Sequence, residues 1–83
     1  MAVFIHPHAK ERMEERGVTC EEVLETIGSG SISSARFGRV RYMRTFDYCG
    51  FWRGKICQHK QIEVYGADED SDFIVITVVV KYF

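Results

Sequence analysis

The chain has 83 residues, 46% of them hydrophobic and 13% aromatic. That composition suits one globular domain with a modest core and excludes a disordered chain. The formal net charge of −1 excludes a uniformly polybasic or polyacidic protein, and no apolar run reaches the ~20 residues of a membrane-spanning helix. The sequence "MAVFIHPHAK" has neither the basic flank nor the cleavage site of a signal peptide. Three cysteines without framework spacing fit reduced thiols rather than a disulfide scaffold. A cytoplasmic domain spanning 1–83, with no membrane partner, is therefore expected.

The first elements are helices. Pro7 suits the first helical turn and Gly17 the position just past the end. Ala9, Met13 and Arg16 fall on one face, with His8 and Arg12 as i, i+4 neighbours at its edge. "TCEE" reads as a capping box with Thr19 as N-cap and Glu22 at N3. Cys20, Val23, Leu24 and Ile27 then form an apolar face, and Gly28 is expected to end the second helix. A short turn at Gly17–Val18 makes the pair a helical hairpin or corner.

"GSGSISSARFG" is a long loop by composition. The hydrophobic period then changes to two. "RVRYMRTF" is a strand and "DYCGFWRGK", with its glycines, a hairpin connection. "ICQHKQIEVYG" is the next strand, with Ile62 and Val64 on one face and His59, Gln61, Glu63 and Tyr65 on the other. "ADEDSD" makes a turn, and "FIVITVVVKYF" is the last strand, its even residues Ile74, Ile76, Val78 and Val80 expected towards the helices. The expected fold is α+β: two N-terminal helices packed on one face of a three- to four-stranded antiparallel sheet, with "AVFI" as the candidate extra strand.

Charge is unevenly spread. Segment 1–27 carries −3, segment 28–62 carries +6 and segment 63–83 carries −4. Phe37, Tyr42, Tyr48, Phe51 and Trp52 interleave with the basic residues of the middle segment. Cations for phosphates and rings for bases are what a single-stranded nucleic acid requires, although solvated strand faces over core aromatics give the same composition.

Metal chemistry has weak support. His6-x-His8 and Cys57-x-His59 lack the usual zinc spacings, and Pro7 restrains the first pair. "DEDSD" opens like a calcium loop but has Phe73 at the sixth position and Val79 at the twelfth, so no metal and no cofactor is expected. The cysteines have no clear partner for thiol chemistry, and there is no glycine-rich phosphate loop or nucleophile elbow. What remains is metal-independent RNA cleavage. In that reaction a base takes the 2′-hydroxyl proton, an acid protonates the leaving oxygen and cations stabilise the phosphate. His8, Arg12, Lys60 and Thr77 are the candidate catalytic residues; Arg39, Arg41, His59, Tyr65 and Lys81 are candidates for holding RNA. Each has a plain structural alternative: a helix-terminal histidine, a lysine at the sheet margin, a packed tyrosine. Arg16, on the apolar face, fits a structural ion pair.

"HAKERMEERGVTCEEVLETI" and "KQIEVYGADEDSDFIVITVVVKYF" together resemble a small bacterial and phage family of unknown function. Its pattern H-A-x-x-R-M-x-x-R-G falls on His8, Ala9, Arg12, Met13, Arg16 and Gly17, and its strand pattern on Lys60, Tyr65 and Thr77. Val79 departs from it, standing where the pattern has an aromatic. The family is similar in topology to RelE/ParE-type toxins. The resemblance implies helices packed on an antiparallel sheet, a nucleolytic or partner-binding face and a cognate antitoxin. His8, Arg12, Lys60 and Thr77 are the matched residues with polar groups able to act. The alternative is a non-catalytic interaction domain that pairs with itself as a homodimer, or with a partner, through a sheet edge.

Overall fold

A computed structural model describes residues 2–83. The chain runs β1 (Val3–Ile5), α1 (Pro7–Arg16), α2 (Cys20–Ser29), β2 (Ser31–Ser34), a 3₁₀ turn (Arg36–Gly38), β3 (Val40–Trp52), β4 (Lys55–Glu69) and β5 (Asp72–Tyr82). The fold is α+β, as the alternation of periods predicts. The sheet, however, is mixed and five-stranded, in the order β1-β5-β4-β3-β2. The "AVFI" segment is the parallel edge strand β1, paired with β5 through Val3–Phe73, Phe4–Ile74 and Ile5–Val75. The other pairings are antiparallel.

Both helices start on their expected signals, and α1 also stops on its expected one. The His6 side chain accepts from the His8 backbone N–H at 3.1 Å, and Pro7 occupies the first turn. Gly17 ends α1 at φ +71°, a left-handed conformation that a side chain would strain. A Cβ there would also meet the Trp52 ring at 3.0 Å. The Thr19–Glu22 capping box is formed in both directions. Ala9 and Met13 are buried as the spacing requires. On α2 the buried residues are Val23, Thr26 and Ile27. Cys20 and Leu24 are exposed, which corrects the expected apolar face. Thr26 is accommodated because its hydroxyl donates to the Glu22 carbonyl at 2.7 Å. The helix extends through Gly28 to Ser29.

The strands are longer than composition suggests. "SISS" forms β2 by pairing with Val40–Met43 of β3, so cross-strand pairing overrides its loop-like composition. The expected hairpin connection from Asp47 is strand as far as Trp52, with an irregularity between Asp47 and Gly50 at Cys49 (φ +51°). Chain reversal takes place at Arg53–Gly54, and again at Asp70–Ser71. All four residues have positive φ, as the tight turns that match strand twist require.

Ile62, Val64, Phe73, Val75 and Val78 join Ala9, Met13, Val18, Val23 and Ile27 in one core. The inward residues of β5 are therefore Phe73 and Val75, then Val78, with Val80 packed against the same core. The expectation of even residues holds only for the second half. The parity changes because Tyr65 pairs with Thr77 while Gly66 pairs with Val75, leaving Ile76 as an extra residue. Gly66 sits at this bulge, where a Cβ would lie 2.3 Å from the Ile74 carbonyl oxygen and 2.5 Å from the Phe73 ring.

Candidate nucleic-acid interface

The expected catalytic set does not converge. Lys60 has the parity of Ile62 and Val64 and faces the helices; the residue is 6% exposed. Its Nζ donates to the Gly17 carbonyl at 2.5 Å and to Glu22 Oε1 at 2.9 Å. Every donor direction it uses is directed at the ends of the two helices. His8 lies nine residues before Gly17, which places it about 13 Å away along the α1 axis at the 1.5 Å rise of a helix. Its side chain leans further towards the N-terminus. Thr77 alternates with buried Val78 and so belongs to the opposite, open face of the sheet. Arg12 is half-buried on α1, away from the open face. The four candidate catalytic residues thus occupy three separate places. Arg16, expected in an ion pair, instead donates to the Val78 carbonyl at 2.6 Å and pins α1 to β5.

The electrostatics of the Lys60 site follow from this geometry. Burial alone would raise the Glu22 carboxyl, but the Lys60 ammonium and the Thr19 N–H outweigh it and hold the carboxyl below its ordinary value. Nearby, the Tyr82 hydroxyl donates to the Arg16 carbonyl at 2.7 Å, and its ring stacks on Trp52 at 4.2 Å. Burial, with the neighbouring Tyr48 and Glu22, pushes the Tyr82 phenol up to about 12. This side of the sheet is a clamp for the helices.

On the open face, cross-strand register brings Arg41 of β3, Tyr65 of β4 and Thr77 of β5 into one row. Above this row the 3₁₀ turn closes a groove of about 410 Å³ lined by Ser34, Arg36, Phe37, Arg39, Arg41, Tyr65 and Thr77. Three of the five expected RNA-holding residues therefore meet there, together with Thr77. The other two lie further along the face. Lys81 pairs with Gln61, and His59 pairs with Asp47 and packs against Phe83 at 5.1 Å. His59 and Tyr65 are six positions apart on β4, about 20 Å at strand rise.

Arg41 is anchored in the floor of the groove. Its Nε donates to Glu63 Oε1 at 2.7 Å and its NH2 makes an ion pair with the same oxygen at 2.5 Å. The Tyr65 hydroxyl is 3.4 Å from that oxygen. The Glu63 carboxylate, hydrogen-bonded to Arg41, raises the guanidinium pKa further. Among the described residues Arg36 and Arg39 form no ion pair, so the rim keeps its positive charge. Arg39 lies 6.0 Å from the centroid of the Phe37 ring.

Glu63, Arg36 and Phe37 were not among the expected site residues. Alternation had placed Glu63 on this face beside Tyr65, but its pairing with Arg41 depends on the strand register. Phe37 stands among the aromatics that interleave with the basic middle segment, but the loop-like composition around it and Arg36 gives no sign that the two line a groove.

Residues 5–80 match the family model described as Domain of unknown function (DUF4258). The chain belongs to this family. A search of curated proteins and a search of solved structures gave no match. Among the described residues no helix is long and apolar enough to cross a membrane.

Proposed function

We propose that this DUF4258 domain is a toxin-like RNA-binding domain of the RelE/ParE kind, acting as a metal-independent endoribonuclease at the groove on its open face. The observation that carries the reading is the convergence of Arg36, Arg39 and Arg41 around Tyr65 and Thr77 in a groove open to solvent. Two unpaired rim arginines supply phosphate contacts, and the hydroxyls of the floor supply hydrogen bonds to sugar or phosphate oxygens. A helix pair followed by antiparallel strands is consistent with a toxin-like topology.

Cleavage chemistry moves with the site. The nearest carboxylate to take the 2′-hydroxyl proton is Glu63, which lies beneath the groove in its pair with Arg41 and acts once Arg41 turns to the phosphate. The freed 2′-oxygen attacks phosphorus, a 2′,3′-cyclic phosphate forms, and the 5′-oxygen departs with a proton for which Tyr65 is the nearest donor. Arg41 stabilises the charge that builds on the phosphate.

The test combines binding and cleavage. In the presence of a chelator, wild-type protein should bind and cut RNA, and its expression should arrest growth. Glu63→Gln should retain binding and lose cutting. The Arg36→Glu, Arg39→Glu double variant should lose both. Uncut, unbound RNA at high protein concentration, with normal growth, refutes the reading.

A second reading has its own observation. Phe51 and Ile56 face each other across β3 and β4 at 70% and 75% exposure. The edge strand β2 is uncharged and exposed throughout. Such features suit a non-catalytic domain that associates with a second copy or an antitoxin. Light scattering that finds only monomer at high concentration removes the homodimer form of this reading.

A further inference from the structure

We propose that Phe37 is a stacking platform for one unpaired base, so that the groove selects single-stranded over duplex RNA. The inference rests on the RNA-binding reading above and adds what the arginines do not specify.

Phe37 has φ +61° and ψ +35°, a left-handed conformation that an aromatic residue rarely adopts. Burial does not offset that conformational cost, because the residue is 89% exposed. A polar residue or glycine would serve the turn better, and Gly38 beside it already supplies one flexible position at φ +70°. Backbone strain held without any packing return is characteristic of residues kept for contact with a ligand. The ring also sits where a ligand would need it. It lines the groove with Arg36, Arg39 and Arg41, and Tyr65 and Thr77 form the floor. The cavity volume falls within the ~300–1,000 Å³ of small-ligand sites.

The chemistry of these groups names the occupant. Arginines at the rim take the phosphates on either side of a nucleotide, the ring takes the π-face of its base, and the hydroxyls reach the sugar. A base inside a duplex has both faces covered by its neighbours and cannot offer one to Phe37. A base in a single strand can. Every base has a π-face, so the platform confers strand-state selectivity with little sequence preference.

The experiment measures binding by fluorescence anisotropy with three labelled strands of equal length: single-stranded RNA, a duplex, and a single strand with abasic sugars. Wild-type protein should prefer the single strand to the other two. Phe37→Ala should weaken single-strand binding roughly ten-fold, leaving the abasic strand and the salt dependence unchanged. Phe37→Trp should restore affinity, and its fluorescence should be quenched by the single strand and not by the abasic one. Trp52, the only tryptophan of the natural sequence, provides the background signal in the parent protein. Wild-type affinity in Phe37→Ala, or an equal loss for the abasic strand, overturns the stacking role and leaves the RNA-binding reading standing. Failure of wild-type protein to bind any of the three strands overturns both.

Discussion

The two faces of the sheet use the same residue types for opposite ends. On the covered face, cations are committed to structure: Lys60 to the Gly17 carbonyl and Glu22, Arg16 to the Val78 carbonyl. On the open face, Arg36 and Arg39 remain uncommitted at the rim of a groove, and Arg41 is held in its floor by Glu63. The basic middle of the sequence is therefore not one patch. Strand parity divides it, and a lysine one residue away from Gln61 stabilises the fold instead of facing solvent. A positive segment read without its faces overstates the charge available to a ligand.

The largest effect should come from the covered face. Lys60→Met removes the ammonium and leaves Glu22 and the Gly17 carbonyl without their partner. Lys60 is buried and Glu22 half-buried, so losing these charge-assisted hydrogen bonds costs about 2 kcal/mol, which denaturant unfolding will detect. The same variant should change the acid response. Glu22 is held below its ordinary value in the folded protein, so its contribution is complete above that ordinary value and is lost as pH falls through the lowered one. Without Lys60 that acid-linked loss should shrink. Folded Lys60→Met should bind RNA like the parent; a loss of RNA binding in folded protein would return Lys60 to the site.

Next comes the open face. The Arg36→Glu, Arg39→Glu double variant should lose at least ten-fold in RNA affinity, with a shallower salt dependence, at nearly unchanged stability. If unfolding shifts as far as it does for Lys60→Met, the contrast between the faces collapses.

A smaller effect is expected at Tyr82. Tyr82→Phe deletes the hydrogen bond to the Arg16 carbonyl and should cost about 1 kcal/mol. The native phenol, pushed up to about 12, keeps its proton more tightly than in the unfolded chain. Its contribution is whole below pH 10 and fades as pH climbs through about 12. Unfolding of Tyr82→Phe should be flatter across that alkaline window. The smallest effect is His8→Ala. It should leave RNA binding and cleavage unchanged, and loss of cleavage in that variant would restore the assignment drawn from sequence.

The sequence makes local signals plain and tertiary ones obscure. Pro7, Gly17 and the Thr19–Glu22 box fix both helices because caps act within four residues. The alternation of Ile62 and Val64 against Gln61, Glu63 and Tyr65 fixes the faces of β4. What stays hidden depends on partners distant in the chain. "SISS" becomes a strand only against Val40–Met43, Arg41 finds Glu63 only through register, and Lys60 finds Gly17 only across 43 residues. His8, Arg12 and Lys60, grouped by residue type and resemblance in the sequence, do not share a site: Lys60 belongs to the joint between helices and sheet.

The extra residue at Ile76 has a consequence for how this fold is encoded. A strand that alternated strictly would carry one message about which side is inward, and the bulge would garble it halfway along. β5 avoids the conflict by being aliphatic at both parities, so it tolerates either phase and specifies neither. The phase must then be written on its neighbour. Gly66 admits the Phe73 ring, Tyr65 takes the outward position and Lys60 reaches the helix ends, and together they supply the alignment that β5 leaves blank.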